Sequence, residues 1–181
     1  MLTTDDGITG IGEARVVGRT HTVLELLKDT QRHFIGHSAH HIEALYDRFT
    51  LDDFNVPGSE AITAYSLLEM ACLDIKGKSM GVPVHSLLGG KVRDRIPAYA
   101  NGWYTVEREA KEFAKAAEQV VDDGYQAMKF DPFGNGNLAL NRNEYQKSIE
   151  LIQAVSDAIK NKADIFIEMH GRFAPYQALE I

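Results

Sequence analysis

The second half of the sequence alternates two kinds of segment, and this alternation limits the possible folds more than any other feature. Short apolar runs at 96–100, 125–130 and 164–168 have strand character, and the segments between them, 106–121 and 143–159, have helical spacing. Parallel strands need a long crossover connection, which is usually a helix. The order strand–helix–strand–helix–strand therefore predicts a parallel sheet with helices packed outside it.

The first part of the sequence has a different pattern, in which a hairpin is followed by helices. Residues 5–7, Asp-Asp-Gly, are a turn signal because Asp and Gly tolerate positive φ, and 8–17 reads as the return strand. Apolar spacing then predicts several helices. These are 20–35, a second helix capped by Ser38, the long helix 60–78 with Ser59 as its N-cap after a loop at 55–59, and the short helix 84–88.

A charged connector at 91–95 separates the two patterns, so we predict one domain over 1–94 and a second over 95–181. The chain opens in what reads as the end of a strand, and it stops soon after its candidate site begins. We therefore expect a first strand to be missing before residue 1 and the remainder of the second domain to be missing after residue 181.

Polar residues suited to catalysis follow two of the predicted strands. Lys129 and Asp131 end one strand, and Glu168 and His170 end the next. Alternate residues of a strand share a face, so each pair is expected to point the same way. In a (β/α) barrel the C-terminal ends of the strands carry the active site, where the four side chains would converge. The alternative is a set of polar residues at a solvated rim.

The chemistry of these residue types indicates a metal and proton-transfer site. In that interpretation Glu168 binds a divalent cation, His170 moves a proton and Lys129 stabilises negative charge on a substrate. Oxygen ligands favour Mg²⁺ over zinc.

Other candidate residues have simpler explanations. His37, His40 and His41 have no acid or cysteine ligand near them in sequence, which favours a surface helix over a metal site. Cys72 lies on the apolar stripe of the long helix, as a buried structural thiol would. Trp103 follows the predicted strand 96–100 and either lines a substrate pocket or covers the rim of the barrel.

Composition excludes several classes of protein. The chain of 181 residues has a net charge of −7, which argues against nucleic acid or an anionic membrane as its main partner. Its single cysteine excludes an internal disulfide framework and suits a reducing cytoplasm, where we expect the protein to act.

Four stretches in order resemble the enolase superfamily, in its mandelate racemase/muconate lactonizing group. They are 3–13 (TTDDGITGIGE), 69–78 (EMACLDIKGK), 81–84 (GVPV) and 87–94 (LLGGKVRD). The resemblance implies an α+β capping domain followed by an incomplete α/β barrel of the TIM type. It also implies abstraction of a proton α to a carboxylate, with Mg²⁺ as the cofactor that stabilises the enediolate.

Within this resemblance, Lys129 matches the first lysine of a Lys-x-Lys motif, and Asp131 replaces the second, which is the base in the racemases. Glu168 stands where the group usually has an aspartate as its first metal ligand. His170 and Arg172 look like the His-Gly-Arg run of the acid-sugar dehydratases, in which the histidine is the acid that helps hydroxide leave.

The resemblance therefore implies a Mg²⁺-dependent dehydratase of a sugar acid that gives a 2-keto-3-deoxy product and that is expected to be a homo-oligomer. Asp131, Arg172 and Trp103 are assigned to substrate contacts, and a carboxylate of the rim stays open as the alternative partner of Arg172. Two alternatives stay open: a racemase or epimerase of the same superfamily, and a truncated, non-catalytic fragment that only self-associates.

Overall fold

The computed structural model describes residues 1–51 and 57–181, and it divides into two compact units, Met1–Asp94 and Arg95–Ile181. Two residues of the loop predicted at 55–59, positions 55 and 56, lie outside the described residues. Among the described helices, none combines the length and the apolar character needed to cross a membrane.

The first unit opens with a short hairpin, in which β1 (Leu2–Thr3) pairs antiparallel with β2 (Thr9–Gly10). Gly7 provides the positive φ of 85° that the predicted turn needs. The predicted return strand over 8–17 is wrong beyond Gly10. The reason is that the backbone after Gly10 bonds to a helix side chain instead of to a neighbouring strand: the Ile11 amide donates to Oδ2 of Asp74 at 3.0 Å.

Four helices follow, and the apolar faces of the first three form the core of the first unit. They are α1 (Thr20–Phe34), α2 (Ile42–Leu51), α3 (Ser59–Met80) and α4 (Val84–Leu87). The predicted N-cap of α3 is off by one residue: Gly58 is the cap, and the Ser59 hydroxyl donates to the carboxylate of Glu60 at 2.8 Å. The buried core residues are Phe34, Leu45, Tyr65, Leu68 and Cys72.

The hairpin and its exit lie directly against the backbone of α3, and two glycines make this possible. A Cβ atom on Gly10 would lie 2.0 Å from the Ala71 carbonyl oxygen, and one on Gly12 would lie 1.9 Å from the Leu67 carbonyl oxygen. Real atoms do not approach so closely, so a side chain at either position would push this segment away from the helix.

Cys72 is confirmed as a buried thiol. It is 1% exposed within the core of the first unit. Burial raises the pKa of its thiol to about 11, with a smaller contribution from the negative charge of Glu69. Because the thiolate is the reactive form, the group is inert at neutral pH.

The second unit contains a parallel pair of strands connected by one helix, with a further helix before and after them. Its elements are α5 (Ala110–Asp122), β3 (Ala127–Phe130), α6 (Arg142–Ile159), β4 (Asp164–Ile167) and α7 (Pro175–Glu180). In the parallel register, Ala127 lies opposite Asp164 and Phe130 opposite Ile167. Helix α6 begins one residue before the predicted start at 143, because the Asn141 side chain caps it by accepting from the Glu144 amide at 3.0 Å.

The predicted strand at 96–100 is reduced to a single bridge. Ala100 donates to the carbonyl of Ala127 and accepts from the amide of Lys129, both at 2.9 Å. Ile96, by contrast, is 85% exposed. A strand is defined by repeated ladder bonds to a neighbour, and among the described residues this segment makes them at Ala100 alone.

The core of the second unit lies between the sheet and helices α5 and α6. Met128 and Phe130 share one face of β3, and both are fully buried with Leu151 and Val155 of α6. Phe130 is central to this core because its ring centroid lies 5.2 Å from that of Trp103 and 5.9 Å from that of Phe113.

We expect replacement of Phe130 by Ala to lower the free energy of unfolding of the second unit by about 3–5 kcal/mol, because it removes a fully buried ring and leaves a cavity. Urea denaturation followed by the fluorescence of Trp103, the single tryptophan of the chain, reports on this unit. Phe166→Ala is the matched control, since Phe166 is 46% exposed. A loss of similar size in both variants would contradict the central place of Phe130.

Candidate active site

Lys129 and Glu168 form an ion pair on the face of the sheet opposite the core. The Lys129 Nζ lies 3.0 Å from Oε2 of Glu168, and both side chains are about one-quarter exposed, at 22% and 27%. The register explains the pair: Lys129 lies opposite Phe166, and Glu168 is two residues further on, which places all three on one face. The sequence-predicted convergence of these two residues is therefore observed.

His170 reaches the site through a turn rather than along a strand, so the prediction that it shares a strand face with Glu168 is wrong. Strand β4 ends at Ile167, and Glu168 adds one more ladder bond from its amide to the Phe130 carbonyl at 2.9 Å. His170 then has a left-handed backbone with a φ of 51°, which costs a non-glycine residue on the order of 1 kcal/mol. Oε1 of Glu168 stabilises the turn by accepting from the His170 amide at 2.9 Å.

These contacts keep both members of the ion pair charged. The hydrogen bond from the His170 amide, and then that from Lys129, lower the pKa of the Glu168 carboxyl. Hydrogen bonding with the Tyr99 side chain, and then with Glu168, raises the pKa of the Lys129 ammonium. At neutral pH the site therefore contains one carboxylate and one ammonium in direct contact.

Asp131 connects the end of β3 with the turn after β4. Its Oδ2 accepts from Nδ1 of His170 at 2.8 Å and from Nη2 of Arg172 at 2.5 Å, and its Oδ1 accepts from the Phe133 amide at 3.0 Å. The Asp131 side chain is 14% exposed, whereas that of His170 is 54% exposed. The partly buried carboxylate therefore anchors an imidazole that faces solvent.

The Arg172 guanidinium donates hydrogen bonds to two main-chain carbonyls and to the Asp131 carboxylate. Its Nη1 donates to the carbonyls of Gly134 and Gly136, at 3.1 and 2.8 Å, in addition to the Nη2 bond to Asp131. Its Nε is buried and has no hydrogen-bond partner among the described residues. The guanidinium thus connects the loop after β3 to the segment that carries His170.

Trp103 lies at the edge of the second core, which is the position predicted for a residue that covers the rim. Its Nε1 donates to the carbonyl of Lys129 at 3.0 Å, and its ring contacts those of Tyr104, Phe113 and Phe130. The indole therefore stabilises the end of β3 through its hydrogen bond to Lys129 and its packing against Phe130.

Sequence reasoning missed Tyr99. The Lys129 ammonium lies 4.9 Å from the centroid of the Tyr99 ring, which also packs edge-on against Phe166 at 5.8 Å. The available signal was its position beside Ala100, at the end of a predicted neighbouring strand. An aromatic face beneath an ammonium adds a favourable electrostatic contact.

The described residues do not complete a metal site. Nowhere in 1–51 or 57–181 do three or more His, Cys, Asp or Glu side chains form a group that could hold a metal ion. Magnesium requires near-octahedral oxygen coordination, and Glu168 offers one carboxylate whose two oxygens already accept from His170 and Lys129. Of the three clustered histidines in the first unit, His37, His40 and His41, His37 contacts Arg48 and His40 contacts Ser79.

Comparison with known proteins identifies the family. Residues 1–89 match the family profile described as mandelate racemase/muconate lactonizing enzyme, N-terminal domain, and residues 112–181 match the profile described as enolase C-terminal domain-like. The chain belongs to the mandelate racemase/muconate lactonizing enzyme group. The predicted fold class, a capping domain followed by part of an enolase-type barrel domain, is confirmed.

Several relatives of this group resemble the chain over nearly its whole length. It is 41% identical over 181 residues to D-gluconate dehydratase of Thermoproteus tenax and 34% identical to D-gluconate/D-galactonate dehydratase of Picrophilus torridus. These alignments cover 99% of the chain but 36% and 46% of the relatives, so the chain spans about a third to a half of their length.

Solved structures agree with this assignment. A member of the enolase superfamily from Salmonella Typhimurium aligns with a TM-score of 0.87 and 29% identity, covering 98% of this chain and 51% of that one. A mandelate racemase/muconate lactonizing enzyme from Jannaschia sp. CCS1 aligns with a TM-score of 0.83 and 32% identity, covering 98% and 50%.

Replacing Lys129 by Met is expected to raise the pKa of Glu168 toward the ordinary value of about 4.3, but not to reach it. The ion pair is lost, whereas the larger cause, the hydrogen bond from the His170 amide, remains. Carbon-13 NMR of the Glu168 carboxyl during an acid titration measures the midpoint. Lys147→Met is the control, because that ammonium pairs with Glu109 instead. An unchanged midpoint in Lys129→Met would contradict the ion pair.

The lowered pKa of Glu168 also determines how its contribution to folding stability changes with pH. Because the pKa of Glu168 is lowered in the folded chain, its contribution to stability is present above the ordinary pKa. That contribution is lost as the pH falls through the folded value.

Proposed function

We propose that the protein to which these residues belong is a Mg²⁺-dependent dehydratase of a sugar acid. It would remove the proton α to the substrate carboxylate, form an enediolate and expel water, giving a 2-keto-3-deoxy acid. The observation that carries the proposal is the His170 imidazole, anchored on Asp131 beside the Lys129–Glu168 pair at the C-terminal ends of two parallel strands. The relatives named above are dehydratases of sugar acids, which supports the same reaction class.

His170 is proposed as the general acid. A hydroxide ion is a poor leaving group, so its departure from carbon requires a proton at the same moment. Nδ1 of His170 is engaged by Asp131, and no hydrogen bond to its Nε2 is present among the described residues. With the imidazole half exposed, Nε2 is the atom that can deliver the proton.

Lys129 is proposed to stabilise negative charge on the substrate. Charge develops on the carboxylate oxygens as the α-proton leaves, and a fixed ammonium acts most strongly on that state. The raised pKa of Lys129 keeps it charged throughout the neutral range. Tyr99 and the indole of Trp103 support the strand from which it projects.

Glu168 is proposed as one ligand of the Mg²⁺ ion, which when bound would stabilise the enediolate. Further ligands are needed besides Glu168, because one carboxylate does not provide the coordination that Mg²⁺ requires. Each Glu168 oxygen has one contact, with Lys129 or with the His170 amide, and keeps a second lone pair that a metal could use.

Other assignments stay predictions: Asp131, Arg172 and Trp103 as substrate contacts, the homo-oligomer and the cytoplasmic location. A lysine-based racemase is disfavoured because Asp131 stands where that mechanism needs a second lysine.

Replacing His170 by Asn in the complete protein is expected to lower the rate of water loss at least about 100-fold, since the general acid is removed. Formation of a 2-keto acid from D-gluconate, D-galactonate and D-xylonate measures the activity, and circular dichroism measures folding. His85→Asn, a change in the first unit, is the control. Full activity in His170→Asn would remove this residue from the mechanism. Epimerisation without water loss in the unmodified protein would instead favour the racemase.

Replacing Glu168 by Gln is expected to weaken Mg²⁺ binding by the complete protein at least about tenfold, because a charged oxygen ligand becomes a neutral amide. Isothermal titration calorimetry with MgCl₂ measures the affinity. Glu180→Gln, a substitution in the terminal helix, serves for comparison. Equal affinity in the two variants would show that Glu168 is no ligand.

A further inference from the structure

The Asp131 carboxylate has a second possible role besides contact with substrate. We propose that Asp131 is a positioning residue, which fixes His170 in the Nδ1–H tautomer and so directs its Nε2 toward the substrate. The inference rests on the proposed function only for what Nε2 does; the hydrogen-bonding arrangement itself is independent of it.

The first step of the argument is the choice of tautomer. A neutral imidazole carries its proton on one nitrogen, and a carboxylate can accept but not donate. Oδ2 of Asp131 lies 2.8 Å from Nδ1 of His170, so the proton belongs on Nδ1. The lone pair is then on Nε2, the nitrogen away from the protein contact.

The second step is that Asp131 is itself held in place. Oδ1 accepts from the Phe133 amide, and Oδ2 also accepts from Arg172, whose other nitrogen is bonded to Gly134 and Gly136. The Asp131 carboxylate is therefore held by its own position at the end of β3, by the amide of the following loop and by the arginine that follows His170. A rigid acceptor fixes both the tautomer and the orientation of the ring bonded to it.

The third step concerns the backbone of His170. Its left-handed φ of 51° and the bond from its amide to Glu168 point the residue back across the end of β3. An imidazole on a turn and 54% exposed would otherwise be free to rotate. The contact with Asp131 restrains that freedom, as an oriented proton donor requires.

The arrangement has a consequence for the proposed reaction. When both nitrogens carry a proton, the bond to Asp131 occupies Nδ1–H and leaves Nε2–H for the departing hydroxyl. Loss of the Nε2 proton gives the neutral Nδ1–H tautomer at once, so the bond to Asp131 is retained and no proton has to move between the ring nitrogens.

The tautomer can be measured directly in the 181-residue chain. Nitrogen-15 labelling of histidine, with His170 assigned by its loss in His170→Gln, gives the state of both ring nitrogens at about pH 9, where imidazole is ordinarily neutral. We expect about a fivefold excess of the Nδ1–H form in the unmodified chain. In Asp131→Ala the excess should disappear, whereas in Asp157→Ala, a surface change in α6, it should persist.

An excess of the Nε2–H form in the unmodified chain would overturn the inference, whether or not Asp131→Ala folds. So would an unchanged Nδ1–H excess in a folded Asp131→Ala chain. The result is separable from the proposed function. An Nδ1–H excess that depends on Asp131, in a protein without dehydratase activity, would support the positioning role and refute the proposed reaction. Dehydratase activity together with an Nε2–H excess would support the reaction and refute the positioning role.

Discussion

The parallel pairing of β3 with β4 is the constraint on which the candidate site depends. With Lys129 opposite Phe166, the strand face that points away from α5 and α6 receives Lys129 and Glu168 together. The other face receives Met128 and Phe130, which are fully buried. Because the period of a strand is two residues, a slip of one position would bury the lysine and expose the core. The hydrophobic core and the ion pair therefore enforce the same register.

The sequence predicted the elements that have strong local signals. Helix α6 was found because of its apolar spacing, and Asn141 caps it; the strands β3 and β4 were found because short apolar runs flank it. The pairing of Lys129 with Glu168 follows from that order alone, since parallel strands end at the same edge. These predictions required no knowledge of distant contacts.

Other features depend on contacts that a local pattern does not contain. The segment 96–100 is apolar enough for a strand, but a strand exists through its neighbours, and the structure provides one bridge at Ala100. His170 was placed on a strand because it follows Glu168 by two positions, yet the backbone turns at that point. The convergence of Asp131 with His170 was predicted from the shared edge of the sheet. The hydrogen bond from Arg172 to Asp131 joins residues 41 positions apart, and the sequence alone left the partner of Arg172 open.

Arg172 and Trp103 each make structural contacts next to the site. Both were assigned to substrate contacts, Arg172 from the resemblance and Trp103 from its position after a predicted strand. In the structure each donates hydrogen bonds to backbone carbonyls next to the site, Arg172 to Gly134 and Gly136 and Trp103 to Lys129. Their polar atoms satisfy main-chain groups that would otherwise lose water as the loop and strand close.

The burial of Cys72 has a practical consequence. As the single thiol of the chain, sealed in the core of the first unit with a raised pKa, it does not compete for thiol-directed reagents while the chain is folded. A cysteine introduced on an exposed position of the second unit would be the one group to accept a maleimide fluorophore or spin label. Site-specific probes can therefore be attached to this 181-residue chain without first removing Cys72.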